Sequence, residues 1–295
     1  SRKMTVTVND TEYTLQQAAK FLENPDRKLR EEVYRKINER RLVDKDALNT
    51  LYDNLIEKRN QEAINAGFSN YRDYRFKELG RFDYTKDDCF KFHDAVKQHV
   101  LPLVNIIYQK KKEKLGLDTL RPWDIDAEPE GIKPLMPFKT SEELIEKSIA
   151  CFSKLRPFFG ECLKKMQELK HLDLESRKGK APGGYNCPLA ESGAPFIFMN
   201  AAGQMHDVTT MLHEGGHAVH SFLAHPLELN GFKEYPMEIA EVASMAMELF
   251  SMEHWDVFFN NADDSNRAKI YQLERVITLF PWIAIIDKFQ NWMYD

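Results

Sequence analysis

The sequence of 295 residues is 43% hydrophobic and 29% charged, which is the balance of a globular chain with a substantial core. Its formal net charge of −5 excludes a strongly basic surface and therefore disfavours a nucleic-acid partner. Apolar runs stay well short of the roughly 18 residues that a membrane-spanning helix needs, so no membrane partner is expected. The four cysteines lack both CxxC spacing and the density of a disulfide scaffold, so reduced thiols are expected.

The N-terminal residues predict a hairpin followed by helices. Met4, Val6 and Val8 alternate with threonines, and Asn9-Asp10 supplies a turn. Threonine followed three residues later by Gln, Asp or Glu is typical of a capping box, and a proline after Asn fits the first turn of a helix. These signals predict helix starts at Thr14, Thr85, Thr140 and Asn24-Pro25.

Apolar residues recur at helical spacing between these starts. Stripes of this kind more often belong to a core than to a functional site, so they are predicted to be buried. The stripes are Leu48, Leu51, Tyr52 and Leu55 in one segment and Phe92, Val96, Val100 and Leu103 in another.

Composition divides the chain into two parts. Residues 120–139 contain four prolines and little periodicity, which predicts a loop. Residues 1–139 are therefore assigned to a helical lobe and residues 140–295 to a catalytic core. In the second part, a glycine-rich stretch precedes Ala194–Met199, whose aromatic and β-branched residues predict a strand. Helical patterns then continue to the last residue without a stop signal, so the sequence is expected to be truncated there.

A metal-binding motif lies in one of these later helices. His213, Glu214 and His217 form an HExxH sequence, which places both imidazoles on one helix face, one turn apart. Such a pair binds one Zn²⁺, which lowers the pKa of its bound water to ~7. The intervening Glu can take a proton from that water as it attacks a carbonyl carbon. The motif therefore predicts a zinc-dependent hydrolase in which Glu214 activates the zinc-bound water.

A surface helix with two exposed histidines is the competing interpretation of this motif. Gly215 and Gly216 argue against it, because glycine inside a helix costs about 1 kcal/mol relative to Ala. Close approach of another backbone, or of a substrate, explains both glycines. We therefore favour metal ligation by His213 and His217.

A catalytic zinc needs a third protein ligand and one open position. The metzincin pattern requires Gly and His where this sequence has His220 and Leu223, so it is excluded. Glu241, 24 residues after His217, is the best candidate. Its neighbours are small enough to pack closely against the two glycines: Ala240, Ala243 and Ser244.

Two other acids lie on the same predicted helix. Glu238, one turn earlier, is the second choice of ligand, and Glu248 is assigned to a position outside the ligand shell. For both, a solvent-facing acid is the alternative. In several zinc peptidases an Asp four residues after the third ligand orients a histidine, but here that position is Met245, so no orienting partner is identified.

Four segments carry a resemblance to a known family: GKAPGGYN at 179–186, APFIFMNA at 194–201, HEGGHAVH at 213–220 and AEVAS at 240–244. Together they resemble the oligoendopeptidase F branch of the thimet oligopeptidase family, and more loosely so does the chain before Arg177. The resemblance implies a mainly α, zincin-type (gluzincin) metallopeptidase core with a small β-sheet and helical lobes around a channel. It also implies one Zn²⁺ per chain, held by His213, His217 and Glu241.

The resemblance further implies a metalloendopeptidase whose partners are short, unstructured peptides. Family members carry His and Tyr residues near the C-terminal end that are thought to stabilise the oxyanion, and these are expected beyond residue 295. A non-catalytic zinc-binding module that holds peptides, or an inactive fragment, is the alternative. A cytoplasmic location is expected because no signal-like segment is present. Peptide preference and oligomeric state are left open.

Smaller signals surround the motif. By resemblance, Ala194–Met199 is an edge strand that could pair with an extended peptide, and a buried structural strand is an equal alternative. Gly183-Gly184-Tyr185 is interpreted as an ordinary turn more readily than as a substrate-contacting loop. For His220, a contact with a metal ligand or with the substrate and a polar packing role are equal alternatives. The remaining histidines without a partner at ligand spacing are predicted at the surface: His93, His99, His171, His225 and His254.

Overall fold

The structure, a computed structural model, describes residues 4–295. Helices dominate and two small sheets accompany them, so the predicted mainly α fold with a small β-sheet is confirmed. Within residues 4–295, no helix combines the length and the apolarity needed to cross a membrane. One compact unit contains the residues up to Ile37 together with Gly131–Tyr271, and the other contains Asn38–Glu130 and Gln272–Asp295. The predicted division at residue 139 stays a prediction.

The first unit opens with the predicted hairpin. Strands β1 (Thr5–Val8) and β2 (Thr11–Thr14) pair in antiparallel register. Asn9 and Asp10 adopt φ values of 48° and 59°, the left-handed conformation that a tight two-residue hairpin turn requires. The hairpin prediction is therefore confirmed.

The predicted helix starts are mostly found. Thr14 and Gln17 form the capping box of α1 (Leu15–Ala19), and Thr85 forms one with Asp88 before α5 (Lys86–Ala95). Thr140 accepts the N–H of Glu143 at the start of α7 (Ser141–Leu155), whereas the Glu143 carboxylate accepts the N–H of Lys139, so only half of that box forms.

The predicted start at Asn24-Pro25 is wrong. Asn24 follows a 3₁₀ turn (Lys20–Glu23), and α2 (Arg27–Leu42) begins after Asp26. The reason is that Asp26 satisfies the free N–H of Lys28 with its own carboxylate, at 2.9 Å, while Asn24 accepts the N–H of Asp26.

The second unit is helical throughout. Its elements are the end of α2, then α3 (Lys45–Asn65), α4 (Tyr71–Glu78), α5, a π turn (Val96–Val100), α6 (Leu101–Lys114), a 3₁₀ turn (Pro122–Asp124) and the later part of α11 (Ala262–Met293). Irregular chain with that one turn spans residues 120–139, as predicted.

Two predictions about this unit are wrong. Most residues of the apolar stripes are not buried: Leu48 is 55%, Leu51 56% and Leu103 47% exposed, although Val96 is buried. His93, predicted at the surface, is buried, because its Nε2 lies 2.6 Å from Asp287 Oδ2 on a helix far away in sequence. Periodicity alone does not reveal whether a partner covers a helix face.

A three-stranded sheet in the first unit leads into the HExxH helix. The strands β3 (Leu172–Glu175), β5 (Phe196–Ala201) and β4 (Tyr185–Cys187) lie in the order β3-β5-β4. Strand β5 pairs with β3 in parallel and with β4 in antiparallel register. The predicted strand at Ala194–Met199 is thus present with shifted bounds, but it is central rather than an edge strand. The edge strands are β3 and β4, and β4 begins at Tyr185, the last residue of the segment interpreted as a turn.

The remaining helices of the first unit pack against this sheet and each other. They are α7, α8 (Pro157–Glu168), α9 (Met205–Ala224), a 3₁₀ turn (Asn230–Phe232), α10 (Met237–Phe250), a 3₁₀ segment (Ser251–Phe258) and the first part of α11. The core between them is apolar and includes Phe152, Leu163, Ile197, Met211 and Trp255.

Two adjacent glycines let α9 approach its neighbours closely. A Cβ at Gly216 would lie 2.8 Å from Ala243 O and from Ser244 Cα, both main-chain atoms of α10. A Cβ at Gly215 would lie 2.8 Å from the ring of Phe152 on α7. Contacts below 3.0 Å are not tolerated by real Cβ atoms. The predicted close approach of another backbone is therefore confirmed at Gly216.

We expect Gly216→Ala to lower the free energy of unfolding by about 1–3 kcal/mol, the usual cost of overpacking. The new methyl group meets main chain that cannot rotate away, and this outweighs the gain in helix propensity of about 1 kcal/mol. Urea unfolding followed by circular dichroism measures the change. Gly231→Ala is the matched control, because nothing lies within 4 Å of a Cβ there. Equal stability of the two variants would contradict this account of α9–α10 packing.

Candidate metal centre

The turn before α9 is fixed by a buried carboxylate. Asp207 Oδ2 accepts the backbone N–H groups of Ala202, Gly203 and Gln204, each at 2.8 Å. Gly203 has φ +97°, a conformation that favours glycine. Burial raises the pKa of Asp207, and the three N–H groups oppose that rise. This cap sets the direction in which α9 leaves β5.

His213, His217 and Glu241 converge at the contact between α9 and α10. The two imidazole rings are nearly perpendicular, with centroids 4.9 Å apart. His213 Nε2 lies 3.3 Å from Glu241 Oε2, and His217 Nε2 lies 3.8 Å from Glu241 Oε1. One donor atom from each residue lies within 4.8 Å of the other two. Among residues 4–295, these three residues form the one group of three or more histidine, cysteine or acidic side chains that are close enough together to hold a metal ion.

The separations fit a single ion. Two tetrahedral ligands about 2.1 Å from one zinc ion lie about 3.4 Å apart. The nitrogen–oxygen distances of 3.3 Å and 3.8 Å are close to that value. Two imidazoles and one carboxylate are also a donor set of the kind that zinc takes at catalytic sites. The chemistry and the spacing of the three side chains are therefore compatible with one zinc ion.

Outer contacts orient two of the three donors. Glu248 Oε1 lies 2.7 Å from His213 Nδ1, which leaves Nε2 directed toward Glu241. Ser244 donates its hydroxyl to Glu241 Oε2 at 2.9 Å. Burial lowers the pKa of His213, but the hydrogen bond that its ring donates to Glu248 and the nearby carboxylates outweigh burial and raise the pKa overall. Burial lowers the pKa of His217, which favours the neutral imidazole that a metal ligand requires.

Glu214 lies beside these donors in a more enclosed position. Its side chain is 6% exposed, and its Oε2 has no hydrogen-bond partner within the described chain. Burial raises the pKa of Glu214 to about 7, against the opposing charge of His213. A carboxylate with this proton affinity can accept and return a proton near neutral pH.

The β3–β4 connection lies against Glu214. A Cβ at Gly184 would lie 3.5 Å from Glu214 Oε1, and Asn186 Nδ2 donates to the carbonyl oxygen of Glu214 at 3.4 Å. The short strand β4 thus runs next to the general-base candidate. This strand carries the exposed ring of Tyr185, which stacks on Phe198 with centroids 5.0 Å apart.

A comparison with known protein families identifies the family of this chain. The model of peptidase family M3 matches residues 20–295. The chain belongs to peptidase family M3.

The similar proteins place this M3 chain in the oligoendopeptidase F branch, as the sequence resemblance implies. Oligopeptidase PepF of Bacillus subtilis is 25% identical over 282 residues, which cover 92% of this chain and 39% of that protein. An oligoendopeptidase F homolog of Borreliella burgdorferi is 25% identical over 274 residues, or 91% of this chain and 43% of that protein. A solved structure of PZ peptidase A with an inhibitor is 28% identical with a TM-score of 0.94 and covers 99% of this chain and 52% of that one. The chain therefore spans about two fifths of the curated relatives' length.

Some residues of this M3 site escaped the sequence analysis. Glu248, assigned only to an outer position, is the partner of His213, and its signal is its place two turns after Glu241. Ser244 was noted for its size and not for its hydroxyl. Asn186 ends the first segment of the family resemblance, but no local pattern indicated its contact with α9, because Glu214 lies 28 positions later in the sequence. His220 stacks on Tyr235 at 3.9 Å between ring centroids, which is a packing contact, and Glu238 is exposed outside the donor set.

Proposed function

We propose that this chain carries the catalytic metal centre of a zinc-dependent oligoendopeptidase. His213, His217 and Glu241 would hold one zinc ion per chain. The observation that supports this most directly is the convergence of the three donors at distances that fit one ion. Membership of the M3 peptidase family supports the reaction class. The cytoplasmic location stays a prediction.

When bound, a zinc ion supplies Lewis acidity that polarises the scissile carbonyl and acidifies a water molecule. The protein's contribution is to fix the orientation of the donor side chains. Glu248 fixes the tautomer and the ring orientation of His213, and Ser244 limits the rotation of the Glu241 carboxylate. Donors held in this way need little reorganisation when the ion binds.

Glu214 is proposed as the general base and acid. Its carboxylate takes a proton from the attacking water as the hydroxyl adds to the carbonyl carbon. It then returns that proton to the amide nitrogen as the carbon–nitrogen bond breaks. Its burial supports this assignment, because a carboxylate with little hydration binds a proton more strongly.

The free edge of β4 is proposed to bind the peptide. Strand β4 pairs only with β5 in the described chain, so the backbone groups on its other side can pair with an extended segment. Asn186 ties this strand to the backbone of Glu214. A peptide bound along β4 would therefore pass beside the general base, which suits short unstructured substrates.

We expect Glu241→Gln to weaken zinc binding by roughly 100-fold or more. Replacing a residue that only hydrogen-bonds to a metal ligand typically costs about 10–100-fold. The amide loses the negative charge that would face the ion. Competition with a chromogenic chelator measures the affinity. Glu238→Gln is the matched control, one turn earlier on the same helix and exposed. A larger loss in the control would move the third ligand to Glu238.

Glu248→Ala should weaken zinc binding by about 10–100-fold, because His213 loses the acceptor on its Nδ1. Glu248→Gln retains a side-chain oxygen as acceptor, so its loss should be smaller. Glu253→Ala, an exposed acid near the end of α10, is the control. Equal affinities for Glu248→Ala and the control would show that the hydrogen bond does not contribute to metal binding.

Glu214→Gln should keep one zinc ion per chain and lose hydrolysis, since the amide cannot take the proton. The expected loss in kcat is at least 10²-fold, the lower end for a general base. Both measurements use the full-length protein. Metal content is measured by plasma emission spectroscopy, and hydrolysis is measured with an internally quenched peptide. Wild-type hydrolysis should disappear with a chelator and return with zinc. A wild-type protein that binds zinc but cleaves no peptide would favour the non-catalytic, peptide-holding module instead.

A further inference from the structure

The connection between β3 and β4 contains a glycine-rich stretch, residues 179–184, which we name the glycine segment. Gly179 and Gly183 have φ values of +88° and +96°, and nothing lies within 4 Å of a Cβ at either position. The segment has no regular secondary structure. Side-chain hydrogen bonds from elsewhere therefore decide how firmly it is held.

Asn200 on β5 holds the segment at its second half. Its Nδ2 donates to Ala181 O at 2.8 Å and to Gly183 O at 2.9 Å, so both amide hydrogens are used. Among neutral side chains of this size, only an amide supplies two hydrogens from one atom. The isosteric Asp would instead bring a carboxylate against two carbonyl oxygens.

Lys180 holds the segment at its first half. Its buried Nζ donates to Glu175 O at 2.8 Å and to Asp173 O at 2.9 Å, with Asp173 Oδ1 at 3.0 Å. Hydrogen bonds from Arg177 and Lys180 lower the pKa of Asp173 to about 2, against the effect of burial. The first half is thereby fixed to β3, and the second half depends on Asn200.

The end of the glycine segment reaches the general-base candidate. Gly184 is the residue whose Cβ would lie 3.5 Å from Glu214 Oε1, and β4 begins at the next residue. Any movement of Gly183 and Gly184 would shift the start of β4 relative to Glu214. The bonds of Asn200 to Ala181 and Gly183 restrain that movement.

We propose that Asn200 is a positioning residue for peptide hydrolysis: its two hydrogen bonds hold the glycine segment so that β4 presents the peptide to Glu214. This inference rests on the proposed function, since it assumes that β4 binds the substrate. Asn200 touches neither the metal donors nor the general base. Its loss should therefore leave zinc binding intact.

The test compares Asn200→Ala, the isosteric Asn200→Asp and the control Asn230→Ala in the full-length protein. We expect both Asn200 variants to keep wild-type zinc affinity and content. Their kcat/KM for an internally quenched peptide should fall by about 10–100-fold, the usual cost of a misplacement near 1 Å. Most of the fall should appear in kcat, because the peptide is still bound but is misaligned with Glu214. The control should retain wild-type values.

Limited digestion with proteinase K, a protease of broad specificity, reports the tether without using the enzyme's own activity. Mass spectrometry of the fragments locates cleavage in the second half of the glycine segment, residues 181–184, which Asn200 holds. Loss of two hydrogen bonds should raise the rate of cleavage there by roughly 10-fold or more. Urea unfolding midpoints of the variants distinguish this local release from global destabilisation, which would raise cleavage throughout the chain.

The outcomes separate this inference from the proposed function. An inactive wild-type protein would overturn the proposed function, and the inference with it, even if limited proteolysis still showed that Asn200 holds the segment. An active wild-type protein whose Asn200→Ala and Asn200→Asp variants keep full kcat/KM would overturn the inference alone. Lost zinc affinity in both variants would also overturn it, because Asn200 would then act on the metal donors.

Discussion

The close approach of α9 and α10 is the constraint on which the candidate centre depends. Two of the donors lie on α9 and the third lies on α10, so the distance between the helices sets the distance between the ligands. Gly216 permits main-chain contact with Ala243 and Ser244. Any side chain at that position would move Glu241 away from both histidines. A glycine costs the helix about 1 kcal/mol relative to Ala, and here it permits the close contact that brings Glu241 beside the histidines.

The same contact places polar groups where few waters can reach them. Burial alone would favour a neutral His213, and Glu248 reverses that preference by accepting from its ring. Glu214 has no comparable partner on its Oε2, and its proton affinity rises. Glu214 and Glu248 both lie close to His213, and they differ in their proposed roles because their hydrogen bonding differs. A bound cation would favour the charged form of Glu214, so its high proton affinity describes the protein without metal.

The HExxH helix, the close packing at the two glycines and the position of Glu241 beside the histidines could be predicted, because each depends on spacing or residue size. The hairpin and most helix caps were equally readable, since three or four neighbouring residues decide them. Contacts between residues that are distant in sequence could not be predicted from such local patterns. The order β3-β5-β4, which makes β5 the central strand and β4 an edge strand, depends on pairing across loops, and the burial of His93 depends on Asp287. The apolar stripes show the converse, because periodicity identifies a helix face without showing whether anything covers it.

Strand β5 connects the HExxH helix with the glycine segment, because its side chains alternate between the two faces of the sheet. Ile197 and Met199 point into the core, and the strand leads directly into the turn that Asp207 caps before α9. On the opposite face, Phe198 supports Tyr185 and Asn200 holds the glycine segment. A central strand paired on both sides is a rigid base for such contacts. The position of the metal donors and the position of the substrate strand are thus set from one six-residue element.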